Sequence, residues 1–131
     1  MEQRTNYASG AQWESIVGYS RAVKVGNVIE VSGTVAADEA GNLIGEGDVY
    51  LQAKFILQKI EAILLQAGAT LQNVVRTRLF VTDISNWQEA GRAHGEAFAG
   101  INPCTSMIEI KSLIQKEYLI EIEATAILTN S

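Results

Sequence analysis

The sequence predicts a two-layer α/β sandwich, a mixed sheet covered on one face by two helices. Three observations carry that prediction. Several short segments alternate apolar and polar residues, two longer segments carry apolar stripes at helical spacing, and these elements follow one another as β-β-α-β-α-β-β. Two helices can cover only one side of such a sheet.

Taken in chain order, Gly18–Val25 and Asn27–Ala36 form the first predicted strand pair, joined at the turn-forming Gly26-Asn27. In the second strand Ile29, Val31 and Gly33 alternate with Val28, Glu30 and Ser32. Asp38–Gly47 is rich in glycine and reads as a loop. Asp48 then caps a helix to about Ala67, closed by Gly68, with Leu51, Phe55, Ile56, Ile60, Ile63 and Leu64 as its apolar stripe. Thr70–Asn73 turns the chain into the strand Val74–Val81, where Val75, Thr77, Leu79 and Val81 oppose Arg76, Arg78 and Phe80. Ser85 or Asn86 caps the second helix, Trp87–Ala99, whose inner side carries Trp87, Ala90, His94, Phe98 and Ile101. Pro103 breaks the chain before the strand Ser106–Lys111, in which Ile108 and Ile110 alternate with Met107, Glu109 and Lys111. The last strand, Tyr118–Leu128, sets Ile120, Ile122, Ala124 and Ala126 against Glu121, Glu123 and Thr125.

The chain has 131 residues, enough for a single domain that buries roughly 68% of its unfolded surface without disulfide or metal. Its net charge of −5 disfavours nonspecific binding to nucleic acid or to an anionic membrane. Cys104 is the only cysteine, so no intramolecular disulfide forms and a reducing, cytoplasmic setting is expected. No apolar run approaches the roughly 18 residues that cross a bilayer.

The uncovered sheet face holds the functional interest. It is expected to carry Glu30, Arg76, Arg78, Glu109, Lys111, Glu121 and Glu123, interleaved with Val28, Phe80 and Met107. Opposite charges mixed with apolar groups suit packing against another subunit; a solvent-facing sheet is the alternative. Metal sets, phosphate loops and dinucleotide fingerprints are missing from the sequence. His94 reads as a packed core-edge histidine and Cys104 as structural, since no base adjoins it. What remains is a set of polar residues at strand ends: Tyr19, Arg21, Ser32, Thr105 and Glu121. A sheltered Glu121 with a raised pKa could activate water; ordinary pairing of Glu121 and Glu123 with Arg76 or Arg78 is the simpler reading.

Two blocks resemble the reactive intermediate deaminase (Rid, or YjgF-like) family. They are Gly18-Tyr-Ser-Arg-Ala-Val-Lys-Val-Gly-Asn-Val-Ile-Glu-Val-Ser-Gly-Thr34, and Pro103-Cys-Thr-Ser-Met-Ile-Glu-Ile followed by Leu119-Ile-Glu-Ile-Glu-Ala-Thr-Ala126. Ala67-Gly68-Ala69 and Val74–Asp83 fit the same pattern, so the likeness spans nearly the whole chain as one Rid-family domain over 1–131. The resemblance implies a fold similar to bacterial chorismate mutase. It also implies a homotrimer with ligand clefts between subunits, and cofactor-free hydrolysis of enamines and imines to carbonyl compounds and ammonia. It matches the family's tyrosine to Tyr19, its Ser-Gly pair to Ser32-Gly33 and its water-activating glutamate to Glu121.

Three positions depart from the family pattern. The substrate-clamping arginine is Thr105, the cysteine two positions later is Met107, and the helix asparagine is Gly91. A bidentate guanidinium–carboxylate pair contributes roughly 1.5–3 kcal/mol, so a 2-imino acid should bind roughly ten- to a hundredfold more weakly. Either Arg21, standing where glutamine is common, restores a cation, or the ligand differs. The expected substrate-binding set is therefore Arg21, Ser32, Gly33, Gly91, Thr105, Ser106 and Met107, with Glu121 and Tyr19 catalytic. A noncatalytic small-molecule-binding trimer is the alternative. The ribonuclease activity attached to this family fits poorly with net −5, one histidine and no basic-aromatic patch.

Overall fold

The computed structural model describes residues 3–129. Its strands are β1 (Arg4–Tyr7), β2 (Ala22–Val25), β3 (Val28–Thr34), β4 (Val74–Val81), β5 (Cys104–Glu109) and β6 (Ile120–Ile127). Its helices are α1 (Gln12–Val17), α2 (Val49–Gln66) and α3 (Trp87–Phe98). The strands form one sheet in the order β1-β2-β3-β6-β4-β5, with β4–β5 parallel and the other neighbours antiparallel. Helices α2 and α3 pack side by side and enclose the core against the sheet. This is the predicted mixed sheet under two helices.

Sequence reading placed no element before Gly18, yet β1 and α1 lie there. Arg4–Tyr7 is exposed or half-buried throughout and has no apolar alternation to detect. The six-residue α1 has no side-chain cap and ends at Gly18 with φ +88°. Between β2 and β3 the turn is as expected: Val25 pairs with Val28, and Gly26 takes φ +59°.

Helix α2 begins where Asp48 accepts the Leu51 amide. Its inner face buries Val49, Ala53, Ile56, Leu57, Ile60, Ile63 and Leu64, whereas Leu51, assigned to the stripe, is 46% exposed. Gln52 is wholly buried among them. Its amide donates to Gly45 O and Glu117 O while its oxygen accepts the Leu119 amide, so one side chain fastens two loops to the start of β6. Trp87 of α3 is likewise exposed rather than inward, and Asn86 makes no side-chain cap; Asp83 caps the preceding turn by accepting Ser85 N.

Strand β6 keeps the predicted parity, with Ile120, Ile122, Ala124 and Ala126 buried. Ile120 and Ile122 each contribute about 1.5–3 kcal/mol by that burial. Two other strands break parity. In β4 the register slips between Val74 and Arg76. Val74 takes the buried place and Val75 turns outward, against expectation. In β5 the parity is reversed. Met107 pairs with buried Leu79 and packs on the core, while Ile108, level with Phe80, is exposed on the open face. Glu109 leaves that face as well and accepts the Ile84 amide, and Lys111 lies beyond the strand. A further slip in β3 between Val31 and Thr34 makes Thr34, not Gly33, the next buried residue.

Candidate functional site

The open face is organised by cross-strand pairs. Arg78 donates to Glu123 at 3.2 Å, Arg76 donates to Ser106 Oγ at 3.0 Å, and Thr125 donates to Glu30 at 2.6 Å. Glu121 does not join them. It stands opposite Phe80, forms no ion pair among the described residues, and folds over the backbone of Gly33. A Cβ added to Gly33 would lie 2.5 Å from Glu121 Oε1 and 2.7 Å from its Cδ, so only glycine leaves room for the carboxylate. The simpler reading thus holds for Glu123 and not for Glu121.

Burial raises the Glu121 pKa above the ordinary carboxylate value; the Arg21 charge opposes the rise and Glu123 adds to it. Arg21 donates from Nη2 to Gly33 O at 2.8 Å, and its guanidinium carbon lies 5.6 Å from the Tyr19 ring centroid. Ser32 donates to Ser20 O, fixing the strand beside Tyr19. Tyr19 and Ser32 share a depression of about 510 Å³ with Arg4, Asn6 and Glu14. Five predicted residues, Tyr19, Arg21, Ser32, Gly33 and Glu121, therefore come together around the β2–β3 end of the sheet.

The others do not reach them. Thr105 is level with Thr77 and Glu121 with Phe80, on strands separated by β4. Two strand spacings and three residues along the strand put their backbones roughly 14 Å apart. Thr105 also turns to the helix side, accepting from Thr77 Oγ1 at 2.7 Å. Thr77 is fully buried, and its hydroxyl also contacts His94 Nε2 at 2.8 Å. His94 packs on Phe98 with ring centroids 4.6 Å apart, and burial lowers its pKa. It is the packed histidine the sequence suggested. Gly91, one turn before His94 on α3, has open space where a Cβ would go, so no steric reason excludes a side chain there. Met107 packs on the core and Ser106 faces the open side. Cys104 is free and exposed.

Sequence reading missed Lys59 and Thr77. Lys59 donates to Val35 O and Ala37 O, and burial followed by the Arg21 charge lowers its pKa. Its position between buried Ile56 and Ile60 was the available signal. Thr77 was read only as a core-facing strand residue. Among the described residues no group of His, Cys, Asp and Glu is placed to hold a metal ion, and no helix is long and apolar enough to cross a membrane.

A mixed sheet with helices on one face and a sheltered carboxylate beside a buried arginine define a small α+β domain with its polar site outside the core. Residues 9–128 match the family model described as Endoribonuclease L-PSP. A RutC family protein of Pyrococcus abyssi is 36% identical over 82% of this chain and 84% of its own length. The crystal structure of Rv2704 from Mycobacterium tuberculosis, described as a YjgF/YER057c/UK114 family member, is 47% identical, with a TM-score of 0.88 over 96% of this chain and 100% of that one. A Rid-family protein of Yersinia pestis, YyfA, is 31% identical with a TM-score of 0.85, again over 96% and 100%. The chain belongs to this Rid/YjgF/L-PSP family.

Proposed function

We propose that the protein hydrolyses small imines or enamines to a carbonyl compound and ammonia. It does so as a homotrimer whose clefts are shared by neighbouring subunits, in the cytoplasm. The observation that carries this reading is the Glu121 carboxylate, held over Gly33 without an ion-pair partner and pushed up in pKa by burial. A carboxylate with a raised pKa is a stronger base than a solvated one and accepts a proton from water attacking the imine carbon. Returned to nitrogen, that proton completes the carbinolamine. The carbinolamine hydroxyl proton then passes to nitrogen as the C–N bond breaks, leaving the carbonyl compound and ammonia. An enamine first takes a proton at carbon to become the imine. The reaction consumes water alone, so no cofactor is needed. Tyr19, Arg21 and Ser32 hold the substrate from one subunit; backbone groups of Thr105, Ser106 and Met107 and the space beside Gly91 line the cleft from its neighbour. The separation of roughly 14 Å between the Glu121 and Thr105 backbones within one chain supports a cleft completed by a second copy.

Thr105 supplies a neutral hydroxyl, so the favoured substrate differs from a simple 2-imino acid clamped at that position. That same feature favours the second reading, a trimer that binds a small molecule without turning it over. Net −5 and a single, packed histidine argue against RNA cleavage. The test couples an amino-acid oxidase to semicarbazide trapping of the imine. The protein is expected to cut semicarbazone formation, and Glu121→Ala to abolish that effect. A ligand that raises Tm but emerges unconsumed supports the binding reading instead.

A further inference from the structure

A second depression, of about 430 Å³, has neither Glu121 nor Gly33 in its walls. Its lining includes Ser9, Trp13, Arg21, Lys59, Gln115 and Tyr118. Arg21 is 9% exposed, and its Nε is the buried side-chain polar atom left without a hydrogen-bond partner among the described residues. A guanidinium cannot shed its charge, and although Nε itself is closed off from the depression, the Arg21 side chain brings a buried, incompletely bonded cation to its wall. Lys59 uses two of its three ammonium hydrogens on Val35 O and Ala37 O, leaving one free.

Burial and then the Arg21 charge depress the Lys59 pKa, with Asp38 and Glu14 acting against them. Among the described residues no carboxylate pairs with either cation. The Asp38 oxygens are taken by the Ala40 and Asn42 amides and the Asn42 side chain, and Glu14 is held by Ser9. The ion pairs among the described residues are Arg78–Glu123, Arg92–Glu89 and Arg92–Glu96, all elsewhere.

We infer that Arg21 and Lys59 form a binding site for the carboxylate of a small organic acid, whose apolar body lies against Trp13 and Tyr118. A monoanion fits better than a phosphate dianion because Asp38 and Glu39 already place negative charge in the same walls. The site is separate from Glu121 but linked to it. Arg21 is the group whose charge holds the Glu121 pKa down, so an anion on Arg21 weakens that restraint and makes Glu121 a stronger base.

The test follows fluorescence of Trp13 in a Trp87→Phe background, which removes the other tryptophan. Benzoate should give a saturable change, benzamide none at the same concentrations, and inorganic phosphate a weaker one than benzoate. Arg21→Gln and Lys59→Gln should each weaken benzoate about tenfold or more, equivalent to 1.4 kcal/mol. Lys59→Arg should retain binding and guards against an effect of misfolding. Glu121→Gln removes a negative charge from beside Arg21 and should tighten benzoate modestly, not weaken it. Equal responses to benzoate and benzamide, or unaltered affinity in both glutamine variants, overturn the site. Tighter binding of phosphate overturns the carboxylate assignment, and loss of benzoate binding in Glu121→Gln places the anion in the catalytic cleft instead. None of these readouts depends on turnover, so failure of the hydrolase reading is recognised separately.

Discussion

Glu121 and Glu123 sit two residues apart on one strand and one sheet face, yet their surroundings differ completely. Glu123 stands across from Arg78 and pairs with it, half-exposed; Glu121 stands across from Phe80 and lies over Gly33. Cross-strand register, not residue type, separates a surface ion pair from a sheltered base. The same contrast recurs between the two ends of the candidate site. Around Glu121 the groups are charged and short of partners, whereas at the β4–β5 edge Thr105, Thr77 and His94 satisfy one another with neutral hydrogen bonds.

Five measurements break or sharpen that contrast. Glu121→Gln should lower imine hydrolysis by roughly 100-fold or more, while Glu123→Gln stays within a few-fold, since a positioned general base contributes about 10²–10⁴. Gly33→Ala should push the Glu121 carboxylate aside and lower hydrolysis about tenfold, while costing less than about 1 kcal/mol in urea denaturation because a flexible side chain yields. That stability cost should shrink in a Glu121→Ala background, where the colliding carboxylate is gone.

Thr77→Val, which strips the hydroxyl between His94 and Thr105, should cost about 1–3 kcal/mol, with Thr77→Ser recovering most of it. A raised carboxylate pKa also has a thermodynamic sign. The protonated form favours the folded state, so the Glu121 contribution is present below the ordinary carboxylate pKa and is lost as pH rises through the raised one. Melting curves of parent and Glu121→Gln should therefore diverge from acid to neutral pH, with the glutamine variant gaining. The smallest effect is expected from Arg78→Ala. Its partly exposed pair is worth about 0–1 kcal/mol, measurable as a slight Tm loss in a monomer-scale denaturation experiment.

The sequence made the core strands and both long helices legible because their burial is periodic. Strand β6, with one side chain in two buried, is the clearest case. Parity failed where the backbone departs from ideal pleating. The slip in β4 moved Val75 outward, and in β5 the exposure of an edge strand left Ile108 in the open and Met107 inward. Strand β1 was invisible because sheet hydrogen bonding, not side-chain burial, holds it. Within the candidate site, Tyr19, Ser32, Gly33 and Glu121 were singled out as a set through family likeness alone. That Gly33 makes room for the Glu121 carboxylate, and that Arg21 and Lys59 line one depression without a carboxylate partner, depends on residues 88 and 38 positions apart, which no local pattern encodes.

The central claim is that Glu121 works in a crevice completed by a second copy of the chain. Its most direct test unfolds and refolds together two inactive variants, Glu121→Gln and Thr105→Trp, the second blocking the cleft from the neighbouring side. In a symmetric ring about a quarter of the sites then pair an intact Glu121 with an intact Thr105 wall, and hydrolysis should return to about that fraction of the parent rate. A mixture no more active than its two components would contradict the account.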